Sequence, residues 1–326
     1  MNWYVLQKLY FFYQKDNNMR KKIAFIFPGQ GSQKVGMGKN FYRNFPEVRD
    51  YFDVTNEVVD LDIKNICLNG PLEILSQTNI TQPAILLISY ITSLLIMKAG
   101  IYPDVVCGHS IGEYSALTVS GAFSFSDAIK IVKERGKFML EANQKSSGAM
   151  AAIIGLYPEE VEKICKEFSG RFYPANFNSP KQVVISGAKD DLEKVTELFY
   201  NKGAKKVIPL SVTVASHTPL ISDVGKKIQE ELKKFKIEEL KIPFLSTVNA
   251  EYIKKEKVKE ILTKQITSPV LWLNCVRKMI KDGVNYFIEV GPKNILSRLI
   301  YRINPEVKTL NVEDIKTLKK TLKELK

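Results

Sequence analysis

A buried strand that runs into a glycine-flanked serine and then into a helix is the sequence feature that restricts the fold most. Residues 104–110 (DVVCGHS) predict a strand and a turn, and residues 112–122 (GEYSALTVSGA) predict a helix of mostly small side chains. Gly108, Ser110 and Gly112 match the G-x-S-x-G pattern of a nucleophile elbow, in which the serine occupies a strained turn. On the pentapeptide alone, a serine in an ordinary strand-to-helix loop is an equally good interpretation.

Short apolar runs alternate with helical periodicity from residue 22 onward, and this alternation predicts an α/β fold. The run IAFIF (23–27) predicts a buried strand that leads into the glycine-containing loop PGQGSQ (28–33). Residues 242–250 and 284–292 predict two further strands of the same sheet. The elbow therefore lies in a sheet assembled from distant parts of the chain.

The longest apolar run, residues 84–97, covers fourteen residues. That is short of the roughly 20 residues that cross a bilayer. We expect a buried helix there and no membrane span, with Pro83 at its first position and Gly100 beyond its end.

Residues 148–213 follow a different order, β-α-β-β-α-β, which is that of a ferredoxin-like unit. Pro158 opens its first helix and Gly203 closes its second. We expect a discontinuous catalytic domain at 22–145 and 214–310, interrupted by this subdomain at 146–213. A basic helix is expected at 311–326.

We expect residues 1–21 to be an N-terminal extension that precedes this fold. The segment MNWYVLQKLYFFYQKDNN (1–18) is rich in aromatic residues and has neither the basic n-region nor the cleavage site of a secretory signal. Met19 directly precedes RKKIAFIF, which makes it a candidate for the native start.

A serine nucleophile needs a base, and the chain has only two histidines. His109 adjoins Ser110, and successive side chains on a tight turn point apart, so we expect it to be a packing or turn residue. His217, in VASHTPL, lies where the chain re-enters the main domain beside a cleft, and it is the candidate base.

Arg135 is the only charged residue on the apolar face of the helix predicted at 127–142. A guanidinium in the interior keeps its proton and must find an anion or a set of acceptors. A buried salt bridge to Asp or Glu is one interpretation. The other is that Arg135 receives a substrate carboxylate in a bidentate pair.

The loop after the first strand is a candidate source of an oxyanion donor. It lacks the Lys-Ser/Thr of a P-loop and the full G-x-G-x-x-G, so phosphate binding is the weaker interpretation. We expect the Gln30 and Ile111 N–H groups to stabilise an oxyanion. Glu289 is a candidate third triad member by position, although a backbone carbonyl could orient His217 instead.

The composition indicates a globular protein with a positive surface. Lys and Arg outnumber Asp and Glu by 48 to 35, a formal charge of +13, which suits an acidic partner. The lysines are spread along helical faces, so we expect no nucleic-acid binding. Four widely spaced cysteines show no metal-ligand spacing and indicate a reduced, cytosolic setting.

Eight motifs occur in this order along the chain: FPGQGSQ (27–33), TQPA (81–84), GHSIGEYSAL (108–117), RGKFM (135–139), GAMAAIIGL (148–156), NFNSPKQVVISG (176–187), SHTPL (216–220) and EVGP (289–292). Together they resemble the motifs of the malonyl-CoA:acyl carrier protein transacylases of dissociated fatty acid synthesis. The resemblance covers residues 22 to 303, and the motifs are far more specific jointly than the serine pentapeptide alone.

This resemblance implies an α/β-hydrolase-like core with a ferredoxin-like insertion, in agreement with the predicted element order. It implies that Ser110 accepts the acyl group, that His217 is its base and that Arg135 pairs with the malonyl carboxylate. It also implies that the backbone carbonyl of Gln265, in KQITSPVLW, orients His217. Ile111 stands where leucine is frequent in the family, which matters little for a backbone donor.

The implied substrates are malonyl-CoA and an acidic holo-acyl carrier protein, without a metal or tightly held cofactor, in a cytoplasmic monomer. Three alternatives stay open at this point. One is a serine esterase or thioesterase, another is an acyltransferase of a polyketide pathway, and the third is a non-catalytic binding protein. Residues 214–216 vary in related polyketide domains with the acyl group transferred, which leaves strict malonyl selectivity open.

Overall fold

The computed structural model describes residues 21–145, 147–168, 170–212 and 214–325. The predictions about residues 1–18 and about Met19 therefore lie outside the described residues. The family resemblance begins at residue 22, so nearly all of it lies within the described residues.

The described residues form ten strands and fourteen α-helices. The strands are β1 (Ile23–Phe27), β2 (Val105–Gly108), β3 (Gly148–Ile154), β4 (Phe172–Ser179), β5 (Gln182–Ala188), β6 (Lys206–Pro209), β7 (Phe244–Leu245), β8 (Tyr252–Ile253), β9 (Tyr286–Val290) and β10 (Lys308–Val312). The helices are α1 (Lys39–Asn44), α2 (Arg49–Val59), α3 (Ile63–Asn69), α4 (Leu72–Leu75), α5 (Thr78–Lys98), α6 (Gly112–Ser120), α7 (Phe125–Lys145), α8 (Pro158–Glu167), α9 (Leu192–Asn201), α10 (Ser222–Lys233), α11 (Val258–Gln265), α12 (Trp272–Lys281), α13 (Ile295–Ile303) and α14 (Ile315–Leu325).

The larger sheet has six strands in the order β10-β9-β1-β2-β7-β8. The first five are parallel, and β8 is antiparallel at the edge. Phe27 at the end of β1 is paired with Gly108 at the end of β2. The loops that follow these two strands, which carry Gln30 and Ser110, therefore leave the same edge of the sheet side by side.

Apolar side chains alternate between the two faces of this sheet, as the period of a strand requires. Phe25 and Phe27 pack into the larger core with α2, α5, α6 and α7, whereas Ala24 and Ile26 pack into a second core with α12 and α13. The sheet is therefore covered by helices on both faces, which is the usual arrangement for parallel strands. The predicted α/β class is confirmed at this level.

The smaller sheet is antiparallel, with the strand order β4-β5-β3-β6. Its chain order, β3-α8-β4-β5-α9-β6, is the one that the sequence predicts. Helices α8 and α9 pack on one face through Val161 and Phe199. Val270 joins β4 to the main domain, because its N–H donates to Ala175 and its carbonyl accepts from Phe177. The smaller sheet is thus held against the larger one.

The predicted start of the buried helix is wrong. Helix α5 begins at Thr78, so Pro83 lies inside it and not at its first position. The Thr81 hydroxyl donates to the Leu75 carbonyl and the Thr81 N–H to Gln77, so the helix is already formed before the proline. Gly100 has a φ of +91° just beyond the helix, as predicted. This is the one described helix long and apolar enough to cross a membrane, and 83% of its apolar window is buried inside the protein.

One strand prediction and one predicted domain boundary also need correction. The segment 242–250 forms only the two-residue strand Phe244–Leu245, because Ser246 and Thr247 turn their polar groups toward Glu113. The predicted domain end at 310 falls inside the strand Lys308–Val312, which pairs in parallel with Tyr286–Val290. The C-terminal helix begins at Ile315 and buries Leu318 in the main core, so it belongs to the main domain.

Candidate active site

Ser110 occupies the turn between β2 and α6 in a left-handed backbone conformation, with a φ of 54°. A side chain at Gly112 would place its Cβ 2.1 Å from the Phe27 carbonyl oxygen, and one at Gly108 would lie 2.0 Å from the Gly112 carbonyl carbon. Both positions therefore require glycine, because strand and helix approach too closely for any side chain. The predicted strained elbow is what the structure shows.

His217 lies beside Ser110 even though the two residues are far apart in the chain. Its Nε2 is 2.8 Å from the Ser110 Oγ, and its Nδ1 is 3.0 Å from the Gln265 carbonyl oxygen and 3.2 Å from that of Ser268. Carbonyl oxygens only accept hydrogen bonds, so Nδ1 carries the proton and Nε2 is free to accept one from Ser110.

The charge state of His217 follows from its surroundings. Its pKa is lowered to about 3, first by burial and then by the positive charge of Arg135, against the raising effect of the hydrogen bonds to the carbonyls of Gln265 and Ser268. The imidazole is therefore neutral at physiological pH. A neutral ring whose Nε2 faces the serine hydroxyl can take up the serine proton.

Arg135 is buried in helix α7 with 2% of its surface exposed, as the helical periodicity predicts. Its Nη1 donates to Gln82 Oε1 at 2.7 Å, and its Nη2 donates to Gln265 Oε1 at 3.2 Å and to Ser110 Oγ at 3.4 Å. The guanidinium also lies 5.4 Å from the ring centroid of Tyr114.

The interpretation of Arg135 as half of a buried salt bridge is wrong. Within the described part of the chain, no carboxylate lies within ion-pair distance of its guanidinium, and its Nε has no hydrogen-bond partner. Its side-chain partners are neutral groups, so a buried cation next to the serine lacks a direct anionic contact. The arrangement can accept a carboxylate at the serine, which is the second interpretation of the sequence.

The two predicted oxyanion donors lie on adjacent loops. Gly29 approaches the elbow so closely that a Cβ there would be 2.7 Å from the His109 carbonyl oxygen. Among the hydrogen bonds between described residues, neither the Gln30 nor the Ile111 N–H has an acceptor. Two free N–H groups beside Ser110 can receive the oxygen of a tetrahedral intermediate.

Gln265 contributes its side chain as well as the carbonyl that sequence reasoning assigns to it. Its Nε2 donates to the Ser110 carbonyl at 2.8 Å and to Glu113 Oε2 at 2.6 Å. Glu113 and Gln82 are the two polar residues at this site that sequence reasoning missed. Both carry a signal, because Gln82 is the one glutamine in a mainly apolar helix and Glu113 is the one acid in a helix of mostly small side chains.

His109 and Glu289 have structural contacts. The His109 Nε2 lies 2.9 Å from Asn178 Oδ1, and the ring packs near Trp272, so His109 joins the elbow to the smaller sheet. This agrees with the prediction of a packing or turn residue. The carboxylate of Glu289 accepts the N–H groups of Leu296 and Ser297 at the start of α13. Its candidacy as third triad member is wrong, because carbonyls occupy that place at His217.

The described residues contain no group of three or more His, Cys, Asp or Glu side chains that could hold a metal ion. All four cysteines are buried and free. The groups gathered around Ser110 are an imidazole, a guanidinium, backbone N–H groups and side-chain amides, which suit acyl transfer through the serine hydroxyl.

Known acyltransferases match nearly the whole chain. Residues 24–321 match the acyl transferase domain model. The malonyl CoA-acyl carrier protein transacylase of Bacillus subtilis is 39% identical over 309 residues, which are 94% of this chain and 98% of that protein.

Solved structures of such enzymes share the fold. The malonyl CoA-acyl carrier protein transacylase of Coxiella burnetii superposes with a TM-score of 0.91 at 33% identity and covers 95% of this chain and 99% of its own. A malonyl-transacylase in complex with a type II PKS acyl-carrier protein superposes at 0.90 with 35% identity, covering 93% and 99%. The chain belongs to the acyl transferase family, among the malonyl CoA-acyl carrier protein transacylases.

Proposed function

We propose that this protein transfers the malonyl group of malonyl-CoA to the phosphopantetheine thiol of acyl carrier protein through a malonyl ester of Ser110, in fatty acid biosynthesis. The observation that carries the proposal is the position of Arg135. A buried guanidinium that has no carboxylate partner among the described residues donates to the oxygen of a serine that is paired with a neutral histidine. Esterases with neutral substrates have no use for a buried cation at that point.

The first half-reaction loads the serine. Ser110 Oγ attacks the thioester carbonyl as His217 Nε2 takes its proton, and the carbonyl oxygen becomes an oxyanion held by the N–H groups of Gln30 and Ile111. The tetrahedral intermediate collapses with cleavage of the carbon–sulfur bond. His217 returns the proton to the departing sulfur, which leaves as coenzyme A thiol.

The second half-reaction reverses these steps with a different thiol. The pantetheine thiol of the carrier protein gives its proton to His217 and attacks the malonyl ester, and Ser110 is released with that proton. Arg135 holds the malonyl carboxylate in both halves and thereby favours malonyl over acetyl groups. The carbonyl of Gln265 keeps the His217 ring in the required orientation throughout.

Mass spectrometry of the protein after exposure to malonyl-CoA tests the loading step. We expect one malonyl adduct, mapped to the peptide that contains Ser110 and absent in the Ser110→Ala variant. The adduct should then pass to holo-acyl carrier protein faster than to water. Absence of the adduct would support a non-catalytic binding protein, and faster hydrolysis than transfer would support an esterase or thioesterase.

A carrier protein of a polyketide system is the second candidate acceptor. Its support is the similar malonyl-transacylase that was solved in complex with a type II PKS acyl-carrier protein. Rates of transfer to purified carrier proteins of both kinds would rank the two pathways. In either case the net charge of +13 favours an acidic partner.

The proposal also covers the domain organisation, the cofactor requirement and the oligomeric state of the protein. The element order and antiparallel strand order of residues 146–213 support a ferredoxin-like subdomain inserted in an α/β-hydrolase-like catalytic domain. The serine, histidine and N–H groups suffice for the chemistry, so we propose no metal or organic cofactor. A cytoplasmic monomer that binds neither nucleic acid nor membrane is proposed, supported by free buried cysteines and dispersed lysines.

A further inference from the structure

Glu113 is a fully buried acid that none of these chemical steps uses. It lies in the first turn of α6, three residues after Ser110. Its Oε1 accepts hydrogen bonds from the Ser246 hydroxyl at 2.9 Å and from the N–H and hydroxyl of Thr247 at 2.5 and 3.0 Å. Its Oε2 accepts from Gln265 Nε2 at 2.6 Å. Four hydrogen bonds to its two oxygens indicate that the side chain does more than pack in the interior.

The hydrogen bonds around Glu113 define its charge state. Burial raises its pKa, and the four donors oppose that effect. The Ser246 oxygen already accepts the Val248 N–H, so its own proton points to Glu113. Because all four contacts are donors, the group that satisfies them is a carboxylate. Glu113 is therefore a buried anion near the buried cation Arg135, and the two do not touch.

The side-chain amide of Gln265 lies between these two charges. Its Nε2 donates to Glu113 and to the Ser110 carbonyl, and its Oε1 accepts from Arg135 Nη2 at 3.2 Å. A flipped amide would set its oxygen against two acceptors and its N–H groups against the guanidinium. Glu113 thus fixes which end of the amide faces Arg135.

We propose that Glu113 is a positioning residue for malonyl transfer, because its carboxylate orients the Gln265 amide so that Arg135 is held beside Ser110 to receive the substrate carboxylate. This inference rests on the proposed function. Among the described residues, Glu113 accepts hydrogen bonds from Ser246, Thr247 and Gln265 and not from the serine hydroxyl, so it acts through Gln265. Its effect should appear in the preference for a carboxylate-bearing acyl group and not in a general loss of activity.

The Glu113→Gln variant tests this link. Its new amide must turn its oxygen toward Ser246 and Thr247, which leaves its NH₂ facing the Gln265 NH₂. Gln265 then loses one of its two acceptors and can flip, which removes one anchor of Arg135. We expect the ratio of kcat/KM for malonyl-CoA to that for acetyl-CoA to fall by about tenfold or more. Turnover of acetyl-CoA should change much less.

Glu289→Gln is the matched control. Glu289 is equally buried and its carboxylate also accepts hydrogen bonds, but these come from two backbone N–H groups at the start of α13. We expect this variant to lose stability and to keep the malonyl-to-acetyl ratio of the unmodified protein. An equal loss of the ratio in both variants would attribute the effect to general destabilisation and overturn the proposal.

A second comparison separates positioning from packing. If Glu113 acts through Arg135, adding Glu113→Gln to Arg135→Ala should not lower the ratio any further. A further fall in the double variant, or an unchanged ratio in Glu113→Gln alone, would overturn the proposal. Should Glu113→Gln fail to fold, Gln265→Met breaks the same connection and keeps the carbonyl for His217. An unchanged ratio there would count equally against it.

The unmodified protein separates this proposal from the proposed function. If it forms no malonyl adduct on Ser110, the function itself fails. If it transfers malonyl groups normally and Glu113→Gln retains the full ratio, only the role of Glu113 fails.

Discussion

Replacement of Arg135 by alanine should remove the preference for malonyl over acetyl groups while leaving the serine and histidine in place. The guanidinium is buried, and its Nη2 lies 3.4 Å from Ser110 Oγ, so a malonyl ester formed there would bring its carboxylate to the guanidinium. In the variant, that carboxylate would be desolvated without a cation to receive it.

The size of the effect follows from the burial of the contact. Loss of one partner of a buried, hydrogen-bonded ion pair costs about 3 to 5 kcal/mol. At about 1.4 kcal/mol for each tenfold change, this corresponds to roughly two to four orders of magnitude in kcat/KM for malonyl-CoA. Acetyl-CoA makes no such contact, so its kcat/KM should change far less.

The assay is transfer of radiolabelled acyl groups from each coenzyme A thioester to holo-acyl carrier protein. Arg135→Lys is the matched control, because it keeps the charge and loses the planar fork, and we expect an intermediate loss. Thermal unfolding should accompany the kinetics, because Arg135→Ala also leaves the Gln82 and Gln265 oxygens without a donor. A folded Arg135→Ala protein whose malonyl-to-acetyl ratio stays within about twofold of the original would refute the role.

Three further predictions concern the elbow, the guanidinium and the base. Gly112→Ala should abolish acylation of Ser110 and lower the unfolding temperature, because its Cβ would meet the Phe27 oxygen at 2.1 Å; normal adduct formation by mass spectrometry would contradict this. Gln82→Met should raise the KM for malonyl-CoA more than that for acetyl-CoA, because Arg135 Nη1 loses its oxygen acceptor; equal KM changes would contradict it. His217 has a pKa lowered to about 3, below its value in an unfolded chain, so its neutral form stabilises the fold above the unfolded pKa and this stability is lost as pH falls. The free energy of unfolding of the original protein should therefore fall relative to that of His217→Asn by about 1.4 kcal/mol for each pH unit from pH 6 down to pH 4. Denaturant unfolding measures this difference, and parallel pH curves for the two proteins would contradict the prediction.

The main features of the site could be predicted because each has a local or countable signal. Ser110 has the glycine spacing of an elbow, His217 is one of only two histidines, and Arg135 interrupts an apolar helical face. None of these depends on knowing which distant segments meet. The role of Gln265 could be predicted only from the family resemblance, since neither composition nor spacing indicates which backbone carbonyl orients a histidine.

The connections among these residues could not be predicted, because they depend on long-range contacts. Glu113 meets Ser246 and Thr247, which follow it by more than 130 residues, and the two-residue strand that places them there was predicted to be longer. The edge strand Lys308–Val312 was missed for a related reason. Only Leu310 and Val312 in it are buried, and that pattern is too short to distinguish a strand from a loop.

The charge of Arg135 also affects the pKa of His217, the proposed general base. The charge of Arg135 is the second cause, after burial, that depresses the pKa of His217, while Glu113 offsets that charge only through the intervening amide of Gln265. A substrate carboxylate on the guanidinium would neutralise it at much shorter range, and the pKa of His217 should then rise toward its usual value. Catalysis by a general base improves as its pKa approaches the working pH. Arg135 would therefore couple recognition to reactivity, because a bound acyl group without a carboxylate leaves the histidine a weaker base.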